Sequence, residues 1–312
     1  MRYGVLNFSD GRPYAQLAER WRRFEALGFD SAWIADDLVV PGYTDFEAWA
    51  LLAGLARETF RMRIGTLVTT VRLRHPTFLA AQVLTLDHVS NGRAAVGIGA
   101  GEPEQNAAVG SPPWSAQETL ERLDEQAWIL HELLRGRSVD HPAGHYPTVV
   151  PVMPVPVSRP GPPLVIAAHG PIGLRAAARY ADTWNSVGGQ RYKAGPNPDP
   201  AAGWRTLAEC VAETERLMAR VDEACFEAGR DPATLGRSIL ALHPAIDPFA
   251  SLDAFDEYVG AYAHLDLEEI TLYWPPLSSV SAELPSPADE TRFERIATER
   301  ILARPTAAQE EA

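Results

Sequence analysis

The stretch RIGTLVTTVRLRHPTFLAAQVLTLDHVSNGRAAVGIGAG, residues 63–101, decides how this chain folds. Its first residues, 63–68, are rich in β-branched side chains and predict a strand. From Pro76 the apolar residues recur with a helical period, and the helix is expected to stop before Asn91-Gly92, a pair that tolerates left-handed backbone. Residues 94–98 then predict a second strand. Strand, helix and strand in that order make a βαβ unit, and such units lay their strands parallel in one sheet.

The same rhythm continues in both directions. Strands are predicted at 3–7, 31–35, 63–68, 94–98, 164–168, 183–187, 238–242 and 269–273, each followed by a helical segment. The first helix, 13–27, opens on Pro13 and stops before Gly28; the last, 286–303, precedes Pro305. Eight alternating units predict an α/β fold of the closed (β/α)8 TIM-barrel type rather than an open doubly wound sheet. A single domain is expected over residues 1–304, with a disordered polar tail at 305–312. Residues 138–163, rich in Pro, Gly and Val, break the period and are read as a hairpin or an irregular insertion before the fifth strand, with 138–150 as its ordered part. Residues 188–200 read as an irregular, mobile loop.

Composition narrows the function classes. The chain has 312 residues, 46% hydrophobic and 22% charged, and a net charge of -13. That balance argues against a nucleic-acid partner, because phosphate backbones need a concentrated basic face. No apolar run reaches membrane-spanning length, and the first residues lack a signal-peptide pattern, so a cytoplasmic location is expected. Cys210 and Cys225 fall in one helical segment with no CxxC, which reads as helix-face packing. His141 and His145 are four apart, but Pro142 and Gly144 between them rule out a helical metal-binding face, and no metal site is expected. A GxSxG elbow and a P-loop are both missing.

In a (β/α)8 barrel the chemistry sits at the carboxyl ends of the strands. The candidates are therefore the segments 7–10, 36–37, 68–75, 99–106, 169–173 and 185–189, with His243 and Trp274. Gly97-Ile-Gly-Ala-Gly101 is not a GxGxxG fingerprint, since its third glycine is misplaced and it follows the fourth strand. It reads either as backbone that passes close to a flat ring or as a tight turn. Gly170-Pro171-Ile172-Gly173 opens a helix, and the free N–H groups there suit a phosphate. Glu102 reads equally as an acid–base group and as a solvated loop carboxylate beside Glu104.

Residues 63–76, 85–93 and 97–101 together resemble the bacterial-luciferase-like oxidoreductases. So do residues 26–36, the run 163–173 with Ala181-Asp-Thr-Trp-Asn185, and Gly229-Arg-Asp-Pro232. The likeness runs from about residue 3 to residue 303. It implies a small-molecule oxidoreductase, often a homodimer, using reduced FMN with oxygen or the deazaflavin coenzyme F420. Deazaflavin hydride transfer is favoured over FMN monooxygenation by the Gly-Arg-Asp-Pro segment and Glu102, and a non-catalytic barrel stays as the third reading. By the same resemblance, Glu102 and Asp37 are the catalytic candidates. Asp36, Leu67, Val68, Thr69, Gly101, Asn106, His169, Gly170, Ile172, Gly173 and Asn185 are the cofactor-binding candidates. Relatives carry a bulging non-prolyl cis peptide where Leu67-Val68 stands, and often a His near the redox ring where this chain has Asp37.

Overall fold

A computed structural model describes residues 1–9, 11–38, 46–190, 205–275 and 285–304. The expected mobile loop and the polar tail lie largely or wholly outside those residues. Eight parallel strands close into a barrel. They are β1 (Arg2–Leu6), β2 (Ser31–Asp36), β3 (Arg63–Thr70), β4 (Ala94–Gly99), β7 (Leu164–Ala167), β8 (Thr183–Ser186), β9 (Gly236–Leu240) and β10 (Glu269–Tyr273). Their order around the barrel is β1-β10-β9-β8-β7-β4-β3-β2, and β1 pairs with β2 to shut the ring. The helices α1 (Tyr14–Ala26), α2 (Ala48–Leu55), α3 (Pro76–Ser90), α4 (Glu104–Ala108) and α5 (Ala116–Leu133) lie between the first strands. The later ones are α6 (Pro171–Tyr180), α7 (Leu207–Glu227), α8 (Leu252–Tyr262) and α9 (Pro287–Ile296). The short β5 (Val139–His141) and β6 (Thr148–Val150) form the expected antiparallel hairpin inside the insertion.

Local chemistry explains the boundaries. Asn91 caps α3 in left-handed backbone (φ 59°), and Gly92 follows at 83°. Gly28 (φ 87°) lies so close to Leu302 that an added Cβ would come within 2.9 Å of the Leu302 Cα, so only glycine lets the last helical turn close on the first. The seventh strand ends two residues before the expected 242, because Leu242 N turns back onto Leu240 O at 2.7 Å and His243 is left-handed. The last helix passes from α9 into a π-helical turn, Ala297–Leu302.

Apolar side chains fill two layers. A large cluster lies between strands and helices, and a smaller one, Leu6, Phe8, Trp33, Leu67, Ala95, Val165 and Leu240, fills the barrel. At the amino-terminal end of the barrel, Glu269 Oε1 accepts from Ser31 Oγ, Trp33 Nε1 and Thr271 Oγ1, a satisfied polar plug. The insertion runs along α3. Tyr146 Oη donates to Val71 O at 3.1 Å near one end, and Asp87 accepts from the Val157 and Ser158 N–H groups at the other. It therefore flanks the barrel instead of covering its mouth.

Candidate active site

β3 carries one more residue than its neighbours need. Between Thr66 and Thr69 it advances three residues while β4 advances two, and the same shift occurs against β2. The surplus is a bulge, and the Leu67–Val68 peptide within it is cis. β4 makes room for it with glycine. A Cβ on Gly97 would meet Thr66 O at 2.6 Å and Val68 Cγ1 at 3.2 Å; one on Gly99 would meet Val68 Cγ2 at 2.9 Å. These glycines are strand residues that accept the neighbouring bulge, which neither of the two sequence readings foresaw.

The bulge aims Thr69 at Asp36. Thr69 Oγ1 donates to Asp36 Oδ2 at 2.8 Å, Trp49 Nε1 donates to the same oxygen at 3.1 Å, and Arg74 forms a short ion pair with it. Asp36 is buried, and burial lifts its pKa above the usual carboxylate range while Arg74, Thr69 and Trp49 pull it back. Its carboxylate thus locks β2, the bulge and the start of α3 together. Arg72 does the same one turn further along. Its guanidinium reaches Ala100 O at 3.1 Å, Thr119 Oγ1 at 2.8 Å and, by a short bond, Asn106 Oδ1, and it sits 5.4 Å from the Trp114 ring. The Asn106 amide also donates to Pro112 O. Burial lowers the Arg72 pKa, and Glu102 is the foremost charged neighbour raising it.

Asp37 and Glu102, both half-buried, follow the ends of β2 and β4. Leu38 N donates to Gln105 Oε1 at 3.0 Å, which ties the segment bearing Asp37 to the one bearing Glu102. Gly101 sits between β4 and Glu102 at φ 66°, with an added Cβ only 1.7 Å from Thr70 Oγ1. Half-buried Ala35, Val68, Leu242 and Tyr273 line the mouth over the inner cluster, and Phe8 stacks on Tyr273 with centroids 5.8 Å apart. The mouth therefore has an apolar floor bordered by carboxylates.

The adjoining arc of the rim, past β7 and β8, carries an uncapped helix start. α6 starts at Gly170 with no side-chain cap, Pro171 has no N–H, and the N–H groups of Ile172 and Gly173 lie in the first turn. Gly170 is exposed, with nothing within 4 Å of where its Cβ would be. His169 beside it accepts from Val187 N at 3.4 Å, and burial lowers its pKa. Asn185 lies deeper, donating to Ser238 Oγ at 2.9 Å. Ala168 N–Asn185 O (3.3 Å) joins these two strand ends.

The candidates thus fall into two groups on one mouth. Asp36, Asp37, Leu67, Val68, Thr69, Gly101, Glu102 and Asn106 lie on the β2–β4 side; His169, Gly170, Ile172, Gly173 and Asn185 lie on the β7–β8 side. Arg72, Arg74 and Gln105 fall within the candidate segments 68–75 and 99–106, but sequence reasoning did not single them out. Two arginines two apart, directly after a strand, were the available signal.

The family model described as luciferase-like monooxygenase matches residues 1–195. An F420-dependent glucose-6-phosphate dehydrogenase of Microbacterium testaceum is 28% identical over 313 residues, covering 97% of this chain and 82% of the relative. Among solved structures, the F420-dependent tetrahydromethanopterin reductase of Methanopyrus kandleri superposes with TM-score 0.70 at 16% identity, covering 96% of this chain and 98% of that one. Monooxygenase RslO1 of Streptomyces bottropensis gives 0.69 at 19% identity, covering 97% and 99%. At such identities the two structures show a shared fold.

Proposed function

Because the chain belongs to the luciferase-like monooxygenase family, we propose that it is a deazaflavin (F420)-dependent oxidoreductase acting on a small organic substrate. The observation that carries this reading is the pairing, on one mouth, of an apolar floor with an uncapped helix start. The floor of Ala35, Val68, Leu242 and Tyr273 suits a planar ring, and the Ile172 and Gly173 N–H groups suit the phosphate on its side chain. The F420 dependence named for the Microbacterium relative, similar over nearly the whole chain, favours deazaflavin over FMN.

Bound there, a deazaflavin would supply a hydride acceptor or donor; the protein supplies position and proton handling. Ile172 and Gly173 hold the phosphate, with His169 alongside. The bulge at Leu67 and Val68 supports the ring, with Thr69 fixed behind it by Asp36. Gly101 and Asn106, through Arg72, set the loop that carries Glu102. Glu102 exchanges the proton that accompanies hydride movement at the ring, and Asp37 faces the substrate. Asn185 stiffens the floor beneath the phosphate side.

Fluorescence titration with F420 and with FMN, followed by turnover without oxygen, tests the reading. F420 binding and undiminished anaerobic turnover are expected. Binding of FMN alone, with a strict need for oxygen, would establish the oxygenase instead.

The proposal includes one barrel domain over 1–304 carrying the 138–163 insertion, a cytoplasmic setting and a homodimer. Among the described residues no helix is long and apolar enough to cross a membrane. For the dimer we place the second copy on the outer face of α3. There Phe78 is 72% exposed, and His88 is the one titratable side chain on view. Phe78→Glu should convert a dimer to a monomer in sedimentation velocity.

A further inference from the structure

The insertion before β7 flanks the barrel, yet it is built to present one ring. Its hairpin, β5 and β6, has three residues in each strand, too short to stand alone. Helix α5 holds it instead. Glu125 accepts from His145 N and Tyr146 N at 2.8 Å each and pairs with His141 Nε2 at 3.0 Å, and His145 Nε2 reaches Glu121 at 3.1 Å. Gly144, at φ 100°, lets the tip close on that carboxylate, since an added Cβ would lie 2.5 Å from Glu125 Oε1. The two histidines four apart in the sequence are thus clips between hairpin and helix.

What the clips hold in place is Tyr146. Its ring is buried, edge-on to His75 with centroids 5.5 Å apart, and the Arg122 guanidinium of α5 lies 5.3 Å from its centroid. Its hydroxyl donates to Val71 O at 3.1 Å, directly past the end of β3. Burial pushes the Tyr146 pKa up to about 12, so the hydroxyl keeps the proton it donates. Val71 N donates to Gly99 O at 3.0 Å, so β4 fixes one backbone group of that residue and the insertion fixes the other. The next residue is Arg72, whose guanidinium donates to the carbonyls of Ala100 and Gly101, the two residues before Glu102. A second arm reaches the same guanidinium. Arg122, ion-paired with Glu118 at 2.8 Å, sits 4.2 Å from the Trp114 ring, and Arg72 sits 5.4 Å from it. Arg72 is buried and its hydrogen bonds end on uncharged oxygens of Ala100, Gly101, Asn106 and Thr119, so the indole face offsets part of its desolvation.

We propose that Tyr146 and Trp114 are positioning residues: braced against α5, they fix Val71 and Arg72 and, through them, the turn that carries Glu102. The role of Glu102 rests on the deazaflavin reading; the brace itself does not. The insertion thereby acts on the reaction from outside the mouth. A carboxyl group that exchanges a proton at hydrogen-bond distance loses rate steeply when it is displaced by about an ångström. Loosening either arm should therefore lower kcat and spare cofactor affinity, which depends on the floor and the α6 start.

Hydrogen–deuterium exchange of the cofactor-free chain, read by mass spectrometry, tests the brace without any ligand. Tyr146→Phe deletes only the hydroxyl; Trp114→Leu deletes the aromatic face, and Trp114→Phe keeps one. Tyr146→Phe and Trp114→Leu should each speed exchange at residues 100–106 by about fivefold or more and leave residues 169–173 unchanged, with Trp114→Phe within about twofold of the wild type. Val149→Thr, on the exposed face of β6, is the control and should alter neither segment. Exchange at 100–106 that stays at the wild-type rate overturns the proposal. So does a rise spread over the whole barrel, which makes the two rings ordinary packing. F420 titration and anaerobic turnover of glucose 6-phosphate or 2-propanol, whichever the wild type oxidises, read the consequence. In Tyr146→Phe and Trp114→Leu the F420 Kd should stay within about twofold while kcat falls about tenfold or more, and Trp114→Phe should restore most of the rate. An unchanged kcat beside faster exchange overturns the positioning role. Failure of F420 to bind the wild type sinks the deazaflavin reading, while the exchange rates still decide the brace.

Discussion

Replacing Gly101 by Ala tests the central geometric claim, that the turn leading to Glu102 closes only around a residue without a side chain. Two costs combine. Left-handed backbone costs an L-residue about 1–2 kcal/mol. The new methyl would lie 1.7 Å from Thr70 Oγ1 and 2.3 Å from Thr70 Cβ, so β3 or the turn must move, an overpacking cost of about 1–3 kcal/mol. The sum is about 3 kcal/mol. Gly110 is a natural control on the other side of α4. It has nearly the same φ, 67°, but nothing within 4 Å of its Cβ position, so Gly110→Ala carries the backbone cost alone, about 1 kcal/mol. Unfolding entropy near 60 °C is about 2.1 cal/mol/K per residue, or about 0.65 kcal/mol/K for 312 residues. Gly101→Ala should therefore lower Tm by about 5 °C and Gly110→Ala by about 2 °C in parallel thermal melts. Displacing the Ala100 and Gly101 carbonyls that Arg72 holds should also weaken cofactor binding in the first variant only. Equal melting points for the two variants would refute the close contact with Thr70 and, with it, the placement of Glu102.

Asp36→Asn removes the charge partner of Arg74 inside the barrel wall. A loss of about 3 kcal/mol is expected, since the buried guanidinium keeps only the exposed Glu47 as its charge partner. Melts of Asp36→Asn and of the Asp36→Asn/Arg74→Met double variant should show the second partly restoring stability. Gly170→Asp separates stability from binding, because a carboxylate at the α6 start caps the helix yet competes with a phosphate. Tm should hold or rise while F420 Kd weakens at least tenfold, about 1.4 kcal/mol, and an unchanged Kd would move the anion site elsewhere. Burial lowers the pKa values of His75, His131, His169 and His243. The unfolded chain then binds more protons than the folded one between those lowered values and about 6.5. Stability should be level above that pH and decline as pH drops below it, and a Tm unchanged from pH 7 to 5 would contradict the burial of these rings.

Much of the fold was legible because its signals are local. The β-branched run before Pro76, the Asn91-Gly92 stop and the Pro-Gly-Val break at 138–163 each act within a few residues of themselves. The strand ends at the mouth were less legible. β3 runs on to Thr70 through a bulge, and β9 stops early at a turn, and both depend on neighbouring strands. The site was legible as a set of loops but not as a set of contacts. Asp36, Thr69 and Asn106 were readable as polar residues at strand ends. Their partners Trp49, Arg74 and Arg72 lie 13 to 38 residues away, and no local pattern couples them.

The extra residue in β3 has consequences that reach the chemistry. It requires glycine at 97 and 99 on one flank, so β4 offers the pocket no side chain at those positions. On the other flank it brings Thr69 onto Asp36, and Arg74 and Trp49 complete the set of donors to that one carboxylate oxygen. The best-satisfied carboxylate at the mouth is thus committed to holding the wall. A group so tightly held is a poor proton carrier, because each proton it accepted would weaken two hydrogen bonds and an ion pair together. On the proposed reading, proton transfer therefore falls to Glu102, with Asp37 on the neighbouring segment. Those two segments follow β2 and β4 and are joined by Leu38 N donating to Gln105 Oε1, so the pairing of strands around the barrel, rather than any local motif, brings them together.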